Sequence, residues 1–167
     1  MISIAPATAD EAALILDFIR ELAEYERLEH AVFATEEDLR RSLFGREPCA
    51  HALIARLDGR PAGFAVYFFN FSTFLGRPGL YLEDLFVRPA ARRRGVGRRL
   101  LAHLAGVALE RGCGRMEWAV LDWNERAISF YVSLGASPNE EWTTYRLSSE
   151  ALRRLAIPPD RDGSAAG

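Results

Sequence analysis

Residues 92 to 99 read Arg-Arg-Arg-Gly-Val-Gly-Arg-Arg, between the apolar run Leu80 to Val87 and the helical pattern Leu100 to Leu109. No other segment constrains the fold as tightly. A helix start carries partial positive charge from N–H groups that lack acceptors, so arginines packed there repel one another unless an anion sits among them. Gly95 and Gly97 let the backbone approach that anion, and unpaired N–H groups can point at its oxygens. The segment therefore predicts a strand, a polyanion cradle and a helix, with a phosphorylated ligand as the natural occupant. A solvated basic turn and a nucleic-acid patch are the competing readings. Two familiar phosphate loops do not fit. A P-loop needs Gly-Lys-Ser/Thr and the chain contains no lysine, while a dinucleotide fingerprint needs a third glycine where Leu100 stands.

The rest of the chain supplies alternating elements. Ile2 to Ala5 reads as a strand, and Thr8-x-x-Glu11 is a capping box opening a helix with Ala12, Ile15, Leu16, Ile19, Leu22 and Ala23 on one side. A second helix begins at Thr35 and ends before Gly45. Ala52 to Leu57 and Ala62 to Asn70 flank Asp58-Gly59-Arg60-Pro61, a hairpin signal. Leu80 to Val87 is a third long strand, and the helix after the basic loop runs to about Arg111, stopped by Gly112 and Gly114. Met116 to Leu121 reads as a strand, Asn124 caps a helix ending at Gly135, Trp142 to Leu147 is a last strand, and Ser149 to Ala156 a terminal helix. Helices, a meander of strands, then alternating strands and helices predict an α/β fold with a mixed sheet flanked by helices. Residues 1–157 are expected to form one domain and 158–167, rich in Pro, Gly, Ser and Ala, a mobile tail.

Composition narrows the function. A chain of 167 residues can bury an ordinary core without staples. Cys49 and Cys113 stand far apart, and His30, His51 and His103 are scattered, so neither a disulfide framework nor a metal site is expected. No apolar stretch approaches the roughly 20 residues that span a bilayer, and no basic-then-apolar leader opens the chain, which predicts a cytoplasmic protein without a membrane partner. A formal net charge of -2 speaks against general nucleic-acid binding.

Glu83 and Asp84 interrupt a strand that is otherwise apolar on both faces. Adjacent strand residues point to opposite faces unless a bulge intervenes. A buried, unpaired carboxylate costs several kcal/mol, so each needs a partner or a task. Pairing with arginines, or an exposed strand end, would account for them. A catalytic task, holding a cation or accepting a proton, fits equally.

Arg92-x-x-Gly95-x-Gly97 opening a helix after a strand resembles the pyrophosphate signature of the GNAT acyltransferases. Thr8 to Leu28, Tyr67 to Arg77, Leu80 to Gly97 and Ala119 to Ala136 resemble the diamine (spermidine/spermine) N-acetyltransferase family. Within it, Ser72-Thr73-Phe74-Leu75-Gly76-Arg77 and Ala119-Val120-Leu121-Asp122-Trp123-Asn124 are most similar to the branch that acetylates thialysine. The resemblance spans Ile4 to Ala156. It implies the GNAT fold, with a mostly antiparallel mixed sheet, and acetyl-coenzyme A as co-substrate without a metal. It further implies coenzyme contacts at Leu85, Phe86 and Val87 along the strand, at Arg92, Arg93, Arg94, Gly95, Val96, Gly97 and Arg98 in the loop, and at Asn124, Arg126 and Tyr131 in Asn124-Glu125-Arg126-Ala127-Ile128-Ser129-Phe130-Tyr131. Tyr131, whose plain reading is core packing, becomes the donor to the departing thiolate, and Glu83 the suspected base. Tyr25, Glu26, Glu83, Asp84 and Glu141 become substrate-pocket residues, and a homodimer is implied.

The expected activity is transfer of the acetyl group of acetyl-coenzyme A to a primary amine of a small molecule, by direct attack in a ternary complex. Ser72-Thr73-Phe74 stands where polyamine acetylators show Asp-Pro-Trp, so an anchor for a distant second ammonium is missing. That favours a lysine analogue such as thialysine over a diamine or polyamine, with Arg77 as one candidate partner for its carboxylate. A non-catalytic acetyl-coenzyme A-binding regulatory module and a protein or peptide N-acetyltransferase are the alternative readings.

Overall fold

Five strands form one sheet in the order β1-β2-β3-β4-β5. They are β1 (Ile2–Pro6), β2 (His51–Leu57), β3 (Arg60–Ser72), β4 (Arg77–Val87) and β5 (Met116–Trp118). The first three junctions are antiparallel, and β4 and β5 run parallel. The computed structural model describes residues 1–157; the tail expected at 158–167 lies outside the described residues. The chain divides into two compact units, Met1–Val120 and a second that begins at Leu121.

In the first unit, helices α1 (Ala12–Glu26) and α2 (Glu36–Phe44) cover one sheet face. The capping box forms as expected, with the Thr8 N–H donating to Glu11 Oε2 at 2.9 Å, and one 3-10 turn, Ala9–Glu11, precedes α1. Thr35 caps α2, accepting from the Asp38 N–H at 3.2 Å. Ile15 and Phe18 pack on Ile54, Phe64 and Phe86, with Leu43 and Ala52 closing the cluster. Phe18 and Phe64 stack with centroids 5.3 Å apart. Helix α3 (Val96–Glu110) covers the other face through the buried Val96, Leu100 and Leu104. Asp58 and Gly59, with φ of 52 and 79°, make the β2–β3 turn that the Asp-Gly pair predicts.

Two predicted strands differ from the structure. Met116 to Leu121 shortens to Met116–Trp118, because β5 finds β4 only at Leu80–Leu82 and the residues beyond have no ladder to join. The strand expected at Trp142 to Leu147 does not form. Its β-branched and aromatic residues favour a strand only where a neighbour packs against them. No strand pairs with this segment among the described residues, and Trp142, Tyr145 and Leu147 stay exposed. The second unit instead holds helices α4 (Glu125–Val132) and α5 (Ser149–Ala156), capped by Asn124 and Ser148.

Phe64→Ala removes half of a stacked pair whose members are both fully buried. Denaturant unfolding of this variant should show a loss of about 3 to 5 kcal/mol.

Candidate active site

The β3–β4 ladder breaks its register at one place. Val66 faces Asp84, but the next residue, Tyr67, faces Leu82, so Glu83 is an extra residue in β4. This is the bulge on which the orientation of the two carboxylates depends. An inserted residue resets the alternation of the strand beyond it. Leu82 packs on the α3 side, whereas Asp84 returns to the α1 side with its partner Val66 and with Phe86. Glu83 and Asp84 therefore do not point to opposite faces. They stand within electrostatic reach of each other, with Glu26 from the end of α1 as the third acid.

Burial first, then the charges of Glu83 and Glu26, push the Asp84 carboxyl up to about 6. Burial also raises Glu26. Two half-buried acids thus lie beside an exposed third, an arrangement that a cationic ligand relieves. Tyr25, the other residue predicted from the end of α1, packs on the core cluster and carries the Arg92 guanidinium over its ring at 4.8 Å.

The bulge also ends the pairing of β4 with β5, which covers Leu80–Leu82 alone. Leu85, Phe86 and Val87 follow on the segment of β4 that has no β5 partner among the described residues.

The basic loop divides its labour. Arg92 turns inward: its Nε donates to the Val87 carbonyl at 2.9 Å, and its guanidinium also lies 5.6 Å from the Phe86 ring. Arg93 and Gly95 adopt left-handed conformations, φ 59 and 84°, on either side of Arg94. Arg94 pairs with Asp58 at 3.4 Å. Arg93 and Arg98 are exposed, and Val96 is buried under the start of α3. The first backbone bond across the turn is the Arg99 N–H to the Gly95 carbonyl at 3.0 Å. A helix start, flanking exposed guanidiniums and a left-handed glycine suit a pyrophosphate.

In the second unit, Asn124 is buried and its Oδ1 accepts from the Ala127 N–H at 3.2 Å, so its side chain caps α4. Tyr131, two turns along, packs its ring 5.5 Å from that of Phe130. Arg126 is exposed on the first turn, and Glu141 is exposed in the irregular stretch before Trp142. Among the described residues, no three His, Cys, Asp or Glu side chains gather as a metal would require.

Sequence reasoning missed Tyr81 and Phe68. Their rings pair across β3 and β4 at 5.2 Å. Tyr81 precedes Glu83 by two residues and could have been found from that spacing. Phe68 becomes visible only with the register.

A five-stranded mixed sheet whose bulged β4 leads to a cationic helix start has the architecture of an acyltransferase fold. Residues 15–136 match the acetyltransferase (GNAT) family, and the chain belongs to that family. It is a GNAT acetyltransferase; enzymes of this family use acetyl-coenzyme A as co-substrate. The chain is similar to a thialysine N-epsilon-acetyltransferase of Bos taurus, at 40% identity over 93% of this chain and 97% of the relative. It is 31% identical to an L-ornithine N5-acetyltransferase of Arabidopsis thaliana, over 89% of this chain and 85% of that one. An integron cassette protein from the mobile metagenome of V. cholerae superposes with a TM-score of 0.79 at 30% identity, over 94% and 98% of the two chains.

The raised Asp84 carboxyl has a consequence for stability. Its folded value of about 6 lies above its ordinary value of 3.8, so folding gains from the protonated form at low pH and loses that gain as pH rises through about 6. Asp84→Asn should therefore stabilise the fold by roughly 2 to 3 kcal/mol near pH 8 and by little near pH 4. Urea melts at both pH values check this, and an equal effect at both would show that Asp84 is not perturbed.

Proposed function

We propose that this enzyme transfers the acetyl group of acetyl-coenzyme A to the terminal primary amine of a small molecule, a lysine analogue such as thialysine or a diamine, by direct attack within a ternary complex. The observation that carries this reading is the gathering of Glu26, Glu83 and Asp84 beside the point where β4 leaves β5. The names of the relatives point the same way, since they act on thialysine and on L-ornithine.

The acids attract the alkylammonium ion and hold it beside β4. Glu83 takes its proton, directly or through water. Asp84 is the second acceptor, and its raised carboxyl is better matched to proton transfer near neutrality than an ordinary aspartate. The freed lone pair forms the amide bond as the carbon–sulfur bond breaks. Backbone N–H groups of Leu85, Phe86 and Val87 are the donors assigned to the developing oxyanion. Tyr131 is assigned the proton donation to the departing sulfur, a role supported by the Asn124 to Tyr131 resemblance.

The coenzyme's pyrophosphate is assigned to the turn from Arg93 to Arg98, with Arg92 bracing it from the strand end. Asn124 and Arg126 are assigned to the remainder of the coenzyme. Glu141 is kept as a substrate contact, supported by the family pattern alone. Residues 1–157 act as a single catalytic domain on this reading, supported by a family match that crosses the boundary at Leu121. A homodimer belongs to the same proposal, and exposed apolar side chains are available to it in each unit, Phe71 and Phe74 in the first and Trp142 and Tyr145 in the second.

Glu83→Gln and Tyr131→Phe should each lower kcat by about 10²- to 10⁴-fold in a thiol-release assay, while calorimetry shows acetyl-coenzyme A uptake preserved. Wild-type protein that binds the coenzyme but acetylates no amine in a panel would be a regulatory module instead. Acetylation confined to peptides would favour the protein acetyltransferase.

A further inference from the structure

Beyond Val66, helices α1 and α2 no longer supply partners to the core cluster on their face of the sheet, which continues to the β3–β4 turn. The register places Phe68, Asn70 and Ser72 of β3 on this face, opposite Tyr81, Gly79 and Arg77 of β4. On the far side β5 contributes Glu117, level with Tyr81, and Arg115 precedes it by two residues. The residues form a connected polar group. Arg115 Nε donates to Glu117 Oε2 at 2.8 Å, and Arg115 Nη1 approaches Ser72 Oγ at 3.5 Å.

Gly79 makes this group possible. A Cβ there would collide with Asn70 Oδ1 and lie 3.4 Å from Arg115 Cγ, so the missing side chain lets the Asn70 amide and the Arg115 stem close over β4. Asn70 Oδ1 is buried without a hydrogen-bond partner among the described residues, and the polar network at this end is not closed. Tyr81 lies between two carboxylates: burial raises its hydroxyl, and Glu83 on one side and Glu117 on the other raise it further.

The geometry points to a second subsite: Arg115 and Glu117 receive the α-carboxylate and α-ammonium of an amino acid whose terminal amine lies at Glu83. This rests on the small-amine reading above and names the substrate class for it. Glu117 stands two residues along and one strand over from Glu83, a separation of about 8 Å from strand rise and spacing. An extended side chain of five bonds, from terminal nitrogen to α-carbon, covers about 6 Å. The two lengths match once side chains reach inward. The Phe68 and Tyr81 rings floor the path between, apolar enough for methylenes or a thioether.

Charge sets the selectivity. A zwitterionic head places its ammonium on Glu117 and its carboxylate on the remaining N–H donors of Arg115, so that four charges alternate in sign. A diamine brings its second cation to Glu117 but has no carboxylate for the remaining donors of Arg115. Arg77, the partner suggested by sequence, pairs with Ser72 at the hairpin base, about 20 Å from Glu83 by strand rise, too far for an amino acid.

The test compares thialysine with the diamine left when its carboxyl group is removed, using the full chain, acetyl-coenzyme A and thiol release. Arg115 is 41% exposed, so Arg115→Gln should fold, and matched circular dichroism and melting curves check this. The variant should raise KM for thialysine at least about tenfold with kcat little changed. The ratio of kcat/KM for thialysine to that for the diamine should fall by a similar factor, and Arg115→Lys should restore part of it. A ratio in Arg115→Gln within about twofold of wild type overturns the subsite while leaving the acetyltransferase reading intact. If wild type acetylates neither compound, the small-amine reading fails and the subsite with it.

Discussion

One inserted residue governs this molecule. Antiparallel pairing with β3 holds β4 along its length, and the extra residue at Glu83 shifts the register by one. Without it, strict alternation would send Asp84 to the α3 face, among Leu80, Leu82 and Leu100, where a carboxylate has no partner. With it, Phe86 lands in the α1 core, Asp84 comes beside Glu26, and Glu83 stays in solvent. The same shift ends the parallel pairing with β5 after three residues. The local twist that separates two strands and the reversal that gathers two acids are a single event.

Strong positive and negative charge thus develop on different elements. The acids sit on the α1 side of β4, and the arginines crowd the start of α3. Two arginines after β4 are spent inside. Arg88 pairs with Glu21 at 2.6 Å and stacks 4.5 Å above Phe18, and Arg92 covers Tyr25 and Phe86. Guanidinium is weakly hydrated and planar, so it can cover aromatic rings and still satisfy a carbonyl. These contacts tie the end of β4 to α1, and so hold Asp84 and Glu26 in range of each other. What remains of the run faces outward, where only an anion offsets it.

Much of this was legible in the chain. Capping boxes at Thr8 and Thr35, the Asp58-Gly59 turn and the strand–arginine–helix junction are local chemistry, and local chemistry is written in neighbouring residues. The bulge has no local signal, because Leu80 to Val87 reads the same with or without an inserted residue. Register belongs to two strands at once. By residue type Arg92 is indistinguishable from its neighbours, yet its inward turn depends on Tyr25, which is remote in sequence. Trp142 to Leu147 carries a strand composition without a neighbour to realise it. Glu117 lies within the strand expected from Met116 to Leu121 and Arg115 just before it; their proximity to Ser72 and Tyr81 needs the parallel register.

The Arg115–Glu117 pair would be unremarkable on an open surface, where such pairs contribute little. Its setting changes what it can do. One flank meets an aromatic floor, the next carboxylate along is Glu83, and an unpaired amide oxygen lies under the guanidinium stem. An ion pair already formed in the free protein costs a ligand little reorganisation, because neither partner must be moved or desolvated from scratch. It also presents both signs to an incoming molecule, so it discriminates by arrangement of charge and not by its sum. Thialysine and a diamine of the same length both carry an ammonium to Glu83. They differ only in what they bring to the Arg115–Glu117 pair, and that is where this sheet differs from one lined with acids alone.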